Sequence, residues 1–270
     1  MLTRLLAPFI IIFKHRALIF RLSRREILSK YKGSIFGLSW SVIYPILMLG
    51  VYTFVFSIVF KARWDSVGST PKGEFAIILF AGLIIFNFFV ECITRSPNLI
   101  FENPSYVKKV IFPLEILSIT AILTAFFQFI INFGILILFL VIYQNNINFS
   151  IILVPIVLFP LIFACIGMSW ILASLGVFIR DVHQVIQVIS QVLIFLCPVF
   201  YSVEMLPKMF RIIIYLNPLT YVINQFRDIV LWNTIPNINF LIMTWASSII
   251  IFLSGFYWFR YTRKAFADIV

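Results

Sequence analysis

Residues 113–142 read PLEILSITAILTAFFQFIINFGILILFLVI, with Glu115 the only charged side chain in the stretch. An α-helix rises about 1.5 Å per residue and needs about 20 apolar residues to cross the ~30 Å hydrocarbon core of a bilayer. The apolar residues run on without the alternation of a barrel strand. A helix is then the form in which this backbone can satisfy its own polar groups in lipid. Similar stretches lie on either side, and spans are expected at about 36–60, 75–95, 113–142, 151–178, 184–203 and 238–259. Pro45 in the first and Pro155 and Pro160 in the fourth should kink or delimit helices, which a lipid-embedded bundle tolerates.

The composition agrees. Of 270 residues, 62% are hydrophobic and 11% charged, and the mean hydropathy is +1.08. Soluble domains are about 45–50% apolar and about 25% charged, so lipid must be the solvent for much of this surface. The fold class expected is an all-α membrane protein of six spans, a single transmembrane unit over 1–270 without a soluble domain. The short apolar run Phe9–Phe13 is followed by basic residues and does not read as a cleaved signal.

Most of the 21 Lys and Arg fall in 1–35, in the segments after the second and fourth spans, and in the tail. Lys61, Arg63, Lys72, Lys208, Arg211 and Arg227 make the smaller set opposite. Basic residues favour the cytoplasmic side, so both ends of the chain are expected inside. The net charge of +11 then reflects orientation. Its cations are spread along membrane edges, which argues against nucleic-acid binding.

Before the first span, Phe20, Ile27 and Tyr31 form one stripe, with Arg21, Arg25 and Lys32 roughly opposite. This reads as a helix lying in the interface, its cations toward lipid headgroups. Between the second and third spans, 96–112 reads SPNLIFENPSYVKKVIF. It is bounded by Pro97 and Pro113 and interrupted by Pro104. A short helix from Ser105 through Lys109 is expected, suited to docking a partner. On the other side, Met205–Leu216 and Thr220–Trp232 are helix-length and apolar, broken by Asn217-Pro218. Neither can span alone, so the pair should lie in the interface or re-enter the membrane.

No P-loop, Gly-x-Ser-x-Gly, His-Glu-x-x-His or Cys-x-x-Cys motif occurs, and Cys92, Cys165 and Cys197 have no metal-site or disulfide spacing. The ten acids are scattered along the chain rather than grouped as an enzyme's acid–base pair would be. Glu91 and Arg95, four apart, are expected to pair on one helix face. No deep carboxylate offers ion coupling, so a transporter of this kind must take its energy from elsewhere. Among 32 Phe, 10 Tyr and 6 Trp, Tyr52, Phe56 and Phe60 recur every four residues. They form either a lipid-facing stripe or a face on which sugar rings stack.

Arg25-Glu26, Tyr31-Lys32-Gly33-Ser34-Ile35-Phe36-Gly37-Leu38-Ser39-Trp40 and Tyr44-Pro45 appear in that order. Lys108-Lys109, Phe112-Pro113, Phe178-Ile179-Arg180-Asp181-Val182, Pro198-Val199-Phe200-Tyr201, Pro207, Asn217-Pro218-Leu219, Arg227-Asp228 and Phe266-Ala267-Asp268-Ile269 follow. In this order the sequence resembles the permease subunits of polysaccharide ABC exporters, the type 2 transporters of O-antigen with capsule and teichoic acid relatives. Phe36 stands where that family usually carries Leu.

The resemblance implies a homodimer in the bacterial inner membrane, working with two ABC ATPase subunits that hold ATP and Mg²⁺, with no cofactor or metal in this chain. It implies a polysaccharide carried on undecaprenyl diphosphate. Asn103, Pro104, Ser105, Tyr106, Lys108 and Lys109 would meet the ATPase. Arg21, Arg24, Arg25, Lys30 and Lys32 would meet the lipid diphosphate or set topology. Trp40, Tyr44, Tyr52, Phe56, Phe60, Phe195, Phe200 and Tyr201 would line a channel between the first and fifth spans. Pro207, Asn217, Pro218, Arg227 and Asp228 would belong to gate helices. The rivals are a type 2 exporter of small amphiphiles, a membrane transferase and an assembly factor.

Overall fold

The computed structural model describes residues 7–60, 64, 74–108, 112–144 and 149–269; all regular structure among them is helical. Helices α1 (Ala7–Lys14) and α2 (Arg16–Lys30) precede α3 (Trp40–Tyr52), which continues as a π-helix over Thr53–Val59. Then come α4 (Glu74–Arg95), α5 (Pro104–Val107), α6 (Glu115–Gln144), α7 (Val154–Phe178) and α8 (Val182–Leu196). The chain closes with α9 (Lys208–Leu216), α10 (Pro218–Val230), α11 (Ile238–Thr262) and α12 (Phe266–Ile269).

Five described helical stretches are long and apolar enough to cross a membrane: Gly37–Phe56, Phe75–Asn98, Glu115–Ile142, Phe149–Phe178 and Ile238–Ala265. The stretch expected as a further span is α8, of 15 residues, about 22 Å at 1.5 Å per residue. It stops because Cys197 turns extended ahead of Pro198, as a residue before proline prefers. Taken by itself, α8 is shorter than the hydrocarbon core.

The spans differ in depth within the bundle. The Phe75–Asn98 window is 78% buried by protein, whereas Gly37–Phe56 is only 17% buried. So α4, apolar on every side, is the central post, and α3 is a peripheral helix. The tightest crossing is between α7 and α11. A Cβ at Gly167 would overlap the backbone of Ile251 and Phe252, and one at Gly255 would overlap that of Gly167. Small residues bring backbones together in this way inside membranes, where apolar side chains gain nothing by leaving lipid. Trp170, Phe252 and Phe256 fill the space alongside, with ring centroids 5.2 and 5.3 Å from Trp170.

Between α2 and α3 the chain turns at Gly33 (φ 89°) and Gly37 (φ 50°). Both angles lie in the left-handed region that glycine enters at little cost. The turn lets α2 fold back along α6. Its buried side chains are Ile19, Leu22 and Ser23, a different face from the expected Phe20–Ile27–Tyr31 stripe. Phe20 is 69% exposed. Of that stripe only Phe20 is free for lipid; Ile27 and Tyr31 are half-buried, and protein covers the adjoining face. The expected Glu91–Arg95 pair is also replaced. Glu91 accepts from Lys30 at 3.0 Å, and Arg95 pairs with Glu26. Because α2 lies beside the end of α4, both partners are met across helices rather than along one.

Candidate functional site

Three groups of the expected site residues assemble, at two ends of the bundle. At the basic end, α5 starts at Pro104, one residue before the expected Ser105. Proline fits the first helical position because its missing N–H would be unpaired there. Asn103 Nδ2 donates to Leu99 O at 2.9 Å, and Tyr106 stacks on Phe112 at 4.3 Å. Val107 is buried, while Pro104, Ser105 and Lys108 are exposed. A short, braced helix thus presents a proline, a hydroxyl and a cation outward. Lys109 lies outside the described residues.

Arg25 sits 6.0 Å from the Tyr106 ring, which links α2 to α5. Arg21, Arg24, Arg25, Lys30 and Lys32 are all exposed, Lys30 with its bond to Glu91. At the same end, buried Glu115 accepts both Arg263 contacts at 2.9 and 3.0 Å. Trp170 Nε1 donates to the Glu115 carbonyl at 2.9 Å. Those bonds tie α6, α7 and the end of α11 together.

The second group is aromatic. Phe56, on the π-helical turn, stands 6.0 Å from Phe200 with planes 25° apart and 5.9 Å from Phe60. Phe195 lies 6.3 Å from Phe200, and Tyr201 Oη donates to the Phe195 carbonyl at 2.7 Å. So Phe56, Phe60, Phe195, Phe200 and Tyr201 form one cluster where α3 and α8 converge. Trp40, beside Phe36, and Tyr44 are exposed farther down α3; Tyr52 is half-buried. The outward faces of α3 and α8 are apolar: Leu47 (58%), Ile58 (62%), Val188 (60%) and Phe195 (68%) are exposed.

The third group, the residues expected in gate helices, lies around α9 and α10. Asn217 caps α10, accepting from Leu219 N at 3.0 Å, and Pro218 occupies the first turn. The two helices after Pro207 differ: α9 exposes Met209 (78%) and Leu216 (76%), whereas α10 is mostly buried and packs on α4 and α7. Arg227 is wholly buried. Its guanidinium donates to Ile78 O at 3.0 Å, Pro198 O at 2.5 Å and Val199 O at 2.9 Å. Trp64 covers it at 4.5 Å. Arg227, one of the cations the sequence puts on the less basic side, is a clasp that joins α10, α4 and the turn after α8. Its neighbour Asp228 accepts from Thr234 through its backbone carbonyl at 3.0 Å.

One constellation was not read from the sequence. Gln128 on α6 accepts from Tyr31 Oη at 3.2 Å and donates to Ser41 O at 2.9 Å and Asn132 Oδ1 at 3.1 Å. This chain bridges α2, α3 and α6 where the interface region meets the first span. Two amides four residues apart in an otherwise apolar span were the available signal, since polar side chains in lipid seek partners.

Among the described residues no group of three His, Cys, Asp or Glu is placed to hold a metal. The arrangement comprises a short helix with an exposed edge at the basic end, a peripheral helix pair with an aromatic join, and the clasped helix α10.

A family model described as ABC-2 type transporter matches residues 17–231. An O-antigen export system permease protein RfbA from Klebsiella pneumoniae is 24% identical over 250 residues, 92% of this chain and 93% of that protein. Its counterpart from Myxococcus xanthus is 21% identical over 259 residues, 95% of this chain and 96% of its own length.

Proposed function

Because the chain belongs to the ABC-2 type transporter family, we propose that it is the permease of an exporter that moves a lipid-linked polysaccharide, O-antigen in the first place, across the bacterial inner membrane. Two copies would form the passage, and ATP would be spent by two separate ATPase subunits. The observation that carries this reading is end-to-end similarity to proteins named as O-antigen export permeases, over nine-tenths of both chains.

In this mechanism the ATPase pushes on α5 through Pro104, Ser105 and Lys108. The braces of Tyr106 on Phe112 and of Arg25 over Tyr106 pass the push to α2. The Lys30–Glu91 and Glu26–Arg95 pairs pass it to α4. Exposed cations of α2 gather the undecaprenyl diphosphate headgroup at about 1 kcal/mol per cation near an anionic surface. The apolar faces of α3 and α8 meet those of a second copy, and the glycan slides between them over aromatic rings that bind weakly at many places. In this reading α8, together with the Cys197–Tyr201 turn, completes the sixth crossing, and both ends of the chain lie in the cytoplasm.

Deleting the chain should remove the polymer from the cell surface and leave its lipid-linked form inside; re-expression should restore it. Replacing both Tyr52 and Phe56 by Ala should impair export while the complex with the ATPase still forms. Unchanged surface polymer in the deletion strain defeats the proposal.

A further inference from the structure

At the gate end each copy contains a cavity of about 460 Å³, within the range of small-molecule sites, about 300–1,000 Å³. Its wall combines two chemistries. Asn224, Gln225 and Asp228 on α10, with Glu204 before α9, supply amides and carboxylates; Tyr215 and Trp232 supply rings. Trp232 is 44% exposed and Tyr215 39%, so both retain ring surface for an occupant. Tyr215 is steadied by Tyr221 at 5.9 Å, which in turn leans on Phe240 at 4.7 Å, and both of these rings also line the cavity.

Gln225 gives the cavity a vacancy of its own. The side chain is 3% exposed, and Nε2 donates to the Asn237 carbonyl at 3.3 Å. That bond fixes the amide, because the reversed orientation would set two acceptors against each other. Oε1 is left buried without a hydrogen-bond partner, although buried acceptors are nearly always satisfied. It therefore calls for a donor delivered from the cavity.

A ligand that offers hydroxyl donors on its edges and a C–H face to aromatic rings is a sugar. Acyl chains would strand the amides and carboxylates. An anion would face Glu204 and Asp228, while Arg227, the one cation among the described residues of the wall, is already committed to three carbonyls. We propose that this cavity is a carbohydrate subsite, one in each copy, in which Gln225 Oε1 accepts from a sugar hydroxyl while Trp232 and Tyr215 hold the ring faces. It sits within a single chain. Its assignment to the side where the glycan emerges rests on the function proposed above. There it would hold the leading end of the polymer loosely and bias it outward.

The test uses the full-length chain in lipid nanodiscs, with saturation-transfer NMR and titration. The probes are maltohexaose, cellohexaose, chitohexaose and the strain's own surface polysaccharide freed of lipid by mild acid. At least one probe should bind saturably, with a dissociation constant on the order of millimolar. Gln225→Leu and Trp232→Ala should each weaken it about tenfold, as loss of a hydrogen bond or a stacking face does. Phe210→Ala, on the exposed face of α9, should leave it unchanged. If Gln225→Leu does not accumulate, the half-exposed Trp232→Ala decides. No saturable binding, or binding indifferent to Trp232→Ala, overturns the subsite. The deletion strain separates the two proposals. Polymer lost without sugar binding leaves the export reading and removes the subsite. Polymer retained with cavity-dependent binding does the reverse.

Discussion

Arg227 lies against Gly82 so closely that a single methyl group on Gly82 would occupy the place of its guanidinium. The arginine reaches three carbonyls on two other segments only because α4 offers no side chain at that point. A glycine on the central post and a cation on α10 are therefore one unit.

Gly82→Ala should overpack the contact, at about 1–3 kcal/mol. Arg227→Ala should cost about 2–4 kcal/mol, since hydrogen bonds to a charged group contribute more than neutral ones. The double variant should be clearly less destabilised than the sum, because both changes break the same contact. Unfolding midpoints in detergent would show this; additive shifts would mean that the two residues act independently.

Glu115 and Arg263 form another tie between distant segments. Glu115→Gln should weaken the bundle by about 1–3 kcal/mol. The low end is favoured because the Arg263 side chain is 36% exposed, and water screens part of the attraction. Exchanging the two, Glu115→Arg with Arg263→Glu, should recover only part of the loss, because the buried position would then hold the bulkier cation. Thermal unfolding of the three proteins distinguishes these cases.

Replacing Gly167 or Gly255 with Leu should abolish accumulation of folded protein. Each would drive a branched side chain into the opposing backbone of the α7–α11 crossing. Gly134→Leu is the control: nothing lies near its missing Cβ, and it should accumulate normally on gels of membrane fractions.

Lys108→Glu should lower co-purification of the ATPase by about tenfold, roughly 1.4 kcal/mol, with the permease itself unchanged in amount. Lys108 is exposed beside a helix held in place by Asn103 and Tyr106, so the reversal should not disturb the fold. An undiminished complex would move the docking surface elsewhere.

A reporter fused after Ile269 should be active in the cytoplasm if α8 completes a crossing, and outside if it turns back. Attaching the same reporter after Tyr201 and after Val182 would locate the crossing itself.

The five long spans were legible because an apolar run of about 20 residues has few other uses. Residues 184–203 looked equivalent by hydropathy, yet Pro198 limits the helix to Leu196, and hydropathy does not register a helix stop. The start of α5 was legible to within a residue because prolines punctuate the segment, whereas the helix ends at Val107 rather than at the expected Lys109. What local spacing could not give was who stands opposite. Glu91 and Arg95 have the spacing of a pair, but α2 folds alongside and takes both. The clasp made by Arg227 was not legible because its carbonyl partners lie 28 or more residues away. The polar chain through Gln128 and the open acceptor of Gln225 likewise depend on neighbours that only folding supplies.

The clasp on Arg227 also fits the order of synthesis. Ile78, Pro198 and Val199 all leave the ribosome before Arg227 does. When the arginine arrives, its three acceptors already exist, and the cation need not wait in the translocon for partners still to be made. Moving the donor ahead of its acceptors, by a circular permutation that starts the chain near Pro207, would remove that advantage while keeping every native contact available.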